Sequence, residues 1–351
     1  MKKALGFNIV ELMVAIAMSA ALITVIINSF SSLNGNFMFN TNQLELNQNL
    51  RMSLGLIKRD VQNAGVFGSF SFHDQSNATS YMESTSTSNN CSTAEWCNFD
   101  LSTVGIKSAS SFASLASNMD SGLTLVAGSD VLRVQYGSDK VAYVSTASIK
   151  SGCAAAPLNY YLDDLTFTNQ GLDLSASRYM LASTNHAYLL KLSSASTLAS
   201  PLTLGCPNYP PTVAVESMIG SVSYDPDVSS MQLVNFYTRY YFVGTKSGVT
   251  GLYVKTLQAN GSLSAAKLIS NLVTSINFMY KVNMISANIN NYPSTASRYR
   301  YLPTSAMTGS GFDYFGQVSA VTIGVSGSST QAVDSNMAKL TQTESDSVAW
   351  R

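Results

Sequence analysis

Apolar residues crowd the start of this chain and then settle into a periodic pattern. Residues 12–27 carry no charge and only two hydroxyls, Ser19 and Thr24. Counted back to Phe7, the stretch approaches the roughly 20 residues that cross a bilayer as a helix. Glu11 sits at its head, where a carboxylate near hydrocarbon costs energy and marks a functional position that needs a partner. Past Asn34-Gly35-Asn36 the pattern becomes amphipathic. Leu46, Leu50, Leu54, Ile57, Val61 and Ala64 fall on one helical face, and Gly65 supplies a stop. One helix over 7–64 extends about 87 Å at the standard rise; two helices broken at Gly35 are the other reading.

After Gly68 the periodicity changes. Residues 69–121 are rich in Ser, Thr and Asn and read as an irregular excursion, with a short helix at 110–118. Short β-branched or alternating segments follow, separated by Gly and polar turns. Strands are expected at 123–127, 130–136, 140–145, 178–182, 187–192, 235–244, 252–257, 275–282 and 317–325. Tight spacing favours antiparallel hairpins, such as 242–255 closing across Gly244 and Gly251. Phe236, Arg239, Tyr241 and Val243 lie among aromatics, as in a strand with two useful faces. No βαβ alternation and no repeat of solenoid length occurs. The expected fold class is α+β: a long N-terminal helix, its first part (7–30) transmembrane and the rest amphipathic, packed on an antiparallel β-rich domain over 65–325. Residues 326–351 form a polar tail, either mobile or pairing late with a neighbour.

The segment Gly6-Phe7-Asn8-Ile9-Val10-Glu11, followed by the apolar run, resembles the class III signal of type IV prepilins and type II secretion pseudopilins. That pattern has glycine before the cut, phenylalanine after it and glutamate as fifth mature residue. Gly6, Phe7 and Glu11 match; Asn8 stands where the family usually has threonine or serine. The resemblance implies a pilin-like fold, removal of residues 1–6 by a prepilin peptidase cutting between Gly6 and Phe7, and methylation of the new Phe7 amine. An ordinary secretory signal fits less well, because no A-x-A site follows the apolar run. Lys2 and Lys3 favour a cytoplasmic N-terminus. In a helical filament the Phe7 ammonium of one subunit and Glu11 of another could neutralise each other in an apolar surround. The bland reading is that Glu11 lies at headgroup level in a plain membrane anchor.

Two internal segments extend the resemblance. Residues 54–68 are similar to the L-x-x-D-x-x-x-A-G stretch that closes this helix in the larger minor pilins, above all the PilW family and the J class of type II secretion. Residues 128–136, Gly-Ser-Asp-Val-Leu-Arg-Val-Gln-Tyr, and the chain length of 351 also look like PilW. The resemblance implies a minor pilin that helps initiate type IV pilus assembly from a tip complex, serving twitching, adhesion or DNA uptake. Implied partners are the prepilin peptidase, other minor pilins, the major pilin, a large tip adhesin and the inner membrane. The implied location is a single-pass inner-membrane precursor with a cytoplasmic N-terminus and a periplasmic domain, then the pilus at the cell surface. A type II secretion pseudopilin and a signal-anchored surface adhesin are the alternatives.

Composition narrows the chemistry. Formal charge is zero, and removal of Lys2 and Lys3 from the 20 basic residues leaves 18 against 20 acidic ones. No basic run is present, so the footprint of direct nucleic-acid binding is missing. The even set Cys91, Cys97, Cys153 and Cys206 in an exported chain suggests two disulfides. Three pairings are open; Cys91–Cys97 around Trp96 with Cys153–Cys206 is favoured. A zinc site lacks a C-x-x-C or paired histidines. His73 and His186 have no spaced metal partner, and no hydrolase, zincin or P-loop motif occurs. Asp163-Asp164 and Asp225-Pro226-Asp227 read as solvated turns rather than calcium ligands. The aromatics Tyr237, Tyr240, Tyr241 and Phe242 read as β-core packing rather than a stacking platform. No enzyme activity, metal or cofactor is expected.

Overall fold

The computed structural model describes residues 9–68, 70–71, 105–151, 160–174, 178–183, 186–192, 202–203, 213–220, 231–257, 262–283, 299–309, 312–313, 318–332 and 339–349. Helix α1 (Ile9–Gln62) is unbroken over 54 residues, about 81 Å at 1.5 Å per residue. It passes straight through Gly35, where nothing lies within 4 Å of a built Cβ, so the two-helix reading is set aside. The helix stops two residues earlier than its apolar face suggested. Gly65 takes a left-handed φ of 74°, which glycine adopts without a Cβ penalty, and its N–H reaches the Gln135 carbonyl at 2.9 Å.

Among the described residues nineteen strands follow. They are β1 (Val66–Phe67), β2 (Phe70–Ser71), β3 (Ile106–Ala109), β4 (Leu123–Leu125), β5 (Val131–Ser151), β6 (Tyr160–Asn169), β7 (Arg178–Ala182), β8 (His186–Leu192), β9 (Leu202–Thr203) and β10 (Val213–Gly220). Then come β11 (Gln232–Lys246), β12 (Val249–Thr256), β13 (Lys267–Ser270), β14 (Val273–Asn283), β15 (Tyr299–Pro303), β16 (Thr308–Gly309), β17 (Phe312–Asp313), β18 (Val318–Ala332) and β19 (Lys339–Ala349). A short helix α2 (Ala113–Ser117) lies between β3 and β4, and a 3-10 turn (Thr304–Ala306) follows β15. Two small ladders, β1-β2 and β16-β17, flank two main sheets: one of 11 strands running β10-β8-β7-β11-β5-β6-β9 with β12, β13, β3 and β4 attached, and one of four in the order β15-β14-β18-β19. The printed pairings within both main sheets are antiparallel. The chain is therefore α+β, with one long apolar N-terminal helix and an antiparallel β-rich domain.

The core sits where these layers meet. The predicted stripe Leu46, Leu50, Leu54, Ile57, Val61 and Ala64 is buried throughout, packed with Val321, Ile323 and Val325 of β18 and with Tyr241 and Val243 of β11. Each such aliphatic side chain contributes about 1.5–3 kcal/mol on burial. Gly327 on β18 lets the helix approach, since a Cβ there would stand 2.8 Å from Leu50 and 3.1 Å from Leu46. Strand β11 is buried on both faces, as its aromatics suggested. Tyr240 and Phe242 form a second core with Phe112, Leu115, Leu123, Val131 and Tyr253. The β11–β12 hairpin pairs Gly244 with Gly251 and turns through Ser247 and Gly248 at φ 52° and 80°, the two left-handed residues a tight primed turn needs.

Other expectations meet the structure unevenly. The strands expected at 130–136 and 140–145 belong to one long strand, β5. The short helix expected at 110–118 is the five-residue α2. Of the residues expected as a tail, 326–332 supply the end of β18 and 339–349 form β19, which pair from Ala320↔Ala349 to Ala332↔Lys339; the others lie outside the described residues.

Candidate functional site

Two regions of α1 carry the chain's distinctive chemistry. The first is its exposed apolar half. The apolar stretch is long enough to cross a membrane as a helix, and none of it is buried within the chain. Ile9 is 74% exposed and Phe37 69%. Ser19 and Thr24 donate to the carbonyls of Ala15 and Ala20, at 2.8 and 2.9 Å. Their hydroxyls are thus satisfied inside the helix, as a hydrocarbon surround demands. Glu11 is exposed near the first described residues of α1. Gly6 and Phe7 lie outside the described residues, and so do Cys91, Cys97, Cys153, Cys206, His73 and the Asp225–Asp227 pair.

The apolar stripe does not end with the stretch that can span a bilayer. Phe30, Leu33, Phe37 and Leu44 are all exposed. At about 100° per residue, their mean direction lies roughly 140° from the face that docks on the sheets. The helix thus presents one apolar face to its own domain and another away from it.

The second region is the junction of α1 with the sheets. Asp60 falls on the docked face between Ile57 and Val61, and only 1% of its side chain is exposed. Arg239 Nη1 on β11 donates to Asp60 Oδ2 at 2.7 Å, and the Tyr241 hydroxyl donates to the same oxygen at 2.6 Å. The exposed Arg59 stands 3.5 Å from the other oxygen. The Arg239 guanidinium lies 5.5 Å from the ring centroid of Tyr136 on β5, a favourable cation–π placement. Burial pushes the Tyr136 and Tyr241 hydroxyls well above the ordinary tyrosine range, and the Asp60 charge adds to it. Burial opposes the charge on Arg239, but Tyr136, Asp60 and Tyr241 outweigh it and hold the guanidinium protonated. An unpaired carboxylate here would be costly; hydrogen-bonded to arginine and tyrosine, it locks the end of α1 onto the large sheet.

A second carboxylate joins the two sheets. Asp130 lies just before β5; its Oδ2 accepts from the Phe278 N–H of β14 at 3.0 Å and from the Thr304 hydroxyl at 2.6 Å. Thr304 also pairs with Ser108 at 2.8 Å, and the Tyr280 hydroxyl donates to Ser108 at 2.6 Å. Burial raises the Asp130 carboxyl, and the Thr304 and Phe278 hydrogen bonds pull partway back. Elsewhere Lys255 is 2% exposed and binds Asp120 at 2.6 Å. Burial works against Asp120, yet the Lys255 and Ala266 hydrogen bonds bring it below the usual carboxylate range.

Residues 54–68 and 128–136 therefore each contribute a carboxylate that ties layers together. Asp60 comes from residues 54–68 and Asp130 from residues 128–136. The first segment also meets Gly105 closely: a Cβ on Gly105 would stand 2.3 Å from the Gly65 nitrogen, so the chain can cross there only with glycine at 105. Sequence reasoning did not find the partners Arg239 and Tyr241; an acid on the apolar face of an amphipathic helix was the available signal. Among the described residues, no group of three or more His, Cys, Asp or Glu side chains is placed to hold a metal. Comparison with known protein families, with curated proteins and with solved structures finds no match.

Proposed function

We propose that this chain is a minor subunit of a type IV pilus, of the PilW type, anchored by α1 in the inner membrane before assembly. The observation that carries the reading is the pairing of Gly6-Phe7 and Glu11 with a helix whose first half is exposed and apolar and whose second half is docked. Such a helix suits a protein that leaves a bilayer for a bundle of like helices, because both surroundings accept the same apolar surface. Glu11 then neutralises the Phe7 ammonium of a neighbouring subunit, so neither charge stays unpaired in the bundle. The domain's mass favours a place at the filament tip over repetition along the shaft. The protein works by templating and by mechanical contact, in a complex with other minor pilins, the major pilin and a tip adhesin.

The test is the mature N-terminus. Intact mass and fragmentation of the chain from its own cells should show loss of residues 1–6 and a methylated Phe7. Glu11→Ala should leave cleavage intact and abolish the subunit's contribution to piliation. An unprocessed Met1 sinks the proposal and leaves the signal-anchored adhesin. Normal pili from a Glu11→Ala strain argue against the charge pairing.

A further inference from the structure

We propose that the open edge of β19 is a strand-addition site, taking an extended segment of a second, different polypeptide as a fifth strand of the β15-β14-β18-β19 sheet. Among the described residues β19 pairs with β18 alone. The Leu340 N–H points back to Ser329 of β18 at 3.1 Å. Backbone groups alternate sides along a strand, so the odd-numbered residues from Thr341 to Ser347 turn theirs to the open side. Ser347 covers its N–H with the Asp346 carboxylate at 2.7 Å. Thr341, Thr343 and Ser345 remain as donors and acceptors for an incoming strand.

Edges of this length are normally guarded by outward lysine, proline, a bulge or inward charge. Here the outward side chains from Thr341 to Ser347 are small hydroxyls, facing Ser328, Ser326, Gly324 and Thr322 of β18 across the ladder. The two inward acids are already engaged by α1: Asp346 meets Lys58 at 2.5 Å, and Glu344 lies 3.9 Å from Arg51. Arg51 and Lys58 stand two turns apart on the flank of α1 beside β19.

Direction argues against the simplest self-pairing. Leu46 and Leu50 lie by Gly327, the partner of Gln342; Arg51 lies by Glu344, and Lys58 by Asp346. Helix α1 and β19 therefore run the same way. Two copies joined antiparallel at β19 by a two-fold axis would point their apolar helices in opposite directions, and both could not enter one bilayer from the same side. With that closed self-pairing ruled out, the occupant assigned is a different chain; that it is another filament subunit rests on the function proposed above.

The test places a benzoylphenylalanine photo-crosslinker at position 343 of the full chain, in the cells that make it, with position 322 on β18 as the control. The expected result is an adduct at 343, absent at 322, mapping to one contiguous segment of a different polypeptide. Ser345→Pro removes an open-side N–H while sparing the β18 ladder. Thr341→Pro does the same at a second open-side N–H. Each should abolish the adduct with no fall in thermal midpoint. An adduct to this chain's own β19, no adduct above the control, or an adduct indifferent to both substitutions overturns the proposal. The N-terminal mass from the same cells reads the filament proposal separately. A methylated Phe7 without the adduct sinks strand addition alone, and an unprocessed Met1 with it sinks the filament reading alone.

Discussion

Replacing Asp60 with alanine should loosen the junction between α1 and the large sheet. The substitution removes the acceptor shared by Arg239 and Tyr241 at 2.7 and 2.6 Å. Breaking a buried ion pair by deleting one partner costs about 3–5 kcal/mol. The Arg239 side chain is 28% exposed and recovers some hydration, which places the loss near the lower bound, about 3 kcal/mol. For a domain of nearly 300 residues that corresponds to a fall in Tm of about 4–6 °C. The assay is thermal and urea unfolding of the full chain in detergent, with Arg239→Met and the double variant completing a cycle. Substituting Arg239 first removes the charge that Asp60 was holding, so the second substitution should cost much less than it does alone. A single-variant loss below about 1 kcal/mol, the scale of an exposed pair, would refute the reasoning, and so would strict additivity in the cycle.

Alkaline pH should destabilise the fold through its buried tyrosines. The Tyr136, Tyr241 and Tyr280 hydroxyls are held above their ordinary range, chiefly by burial. Above about pH 10 the unfolded chain therefore releases protons that the folded chain keeps, and stability falls as pH rises. Tyr241→Phe should flatten that slope in a urea midpoint series, and an unchanged slope would count against it. Two glycines on facing elements should respond oppositely to alanine. Gly327→Ala sets a Cβ 2.6 Å from the Leu272 carbonyl oxygen and 2.8 Å from Leu50, so it should cost about 1–3 kcal/mol by overpacking. Gly35→Ala, with open space around it, should strengthen the isolated helix by about 1 kcal/mol, read as helicity of a peptide spanning residues 28–45.

The elements that sequence reasoning found are those where packing writes a period into the chain. Leu46 to Val61 face two sheets, and the spacing of that face appears directly in the residues. β11 is buried on both sides and reads as a dense aromatic run. β19 escaped notice because the middle of its inward face is Gln342, Glu344 and Asp346, the two acids matched to Arg51 and Lys58 on α1, and only Leu340 and Val348 at its ends join the apolar core. No alternation of apolar residues can announce such a strand. Short strands such as β3 and β13 escaped because four residues carry too little alternation to be read as a strand. For the site, Gly6, Phe7 and Glu11 were legible as a linear motif. The junction was not, because Asp60 and Arg239 lie 179 residues apart and only the folded chain brings them together.

The continuity of α1 fixes a height and a heading. If residues 9–28 occupy the hydrocarbon, they take up about 30 Å. Residues 29–45 then lift the docked part of the helix about 25 Å further out. The globular mass stands clear of the lipid headgroups, leaving lateral room for neighbours beneath it. Because no hinge interrupts this strut, each residue deleted from it lowers the domain by about 1.5 Å and swings it through about 100°. The length of that spacer therefore sets the compass bearing of every surface on the domain, the β19 edge included.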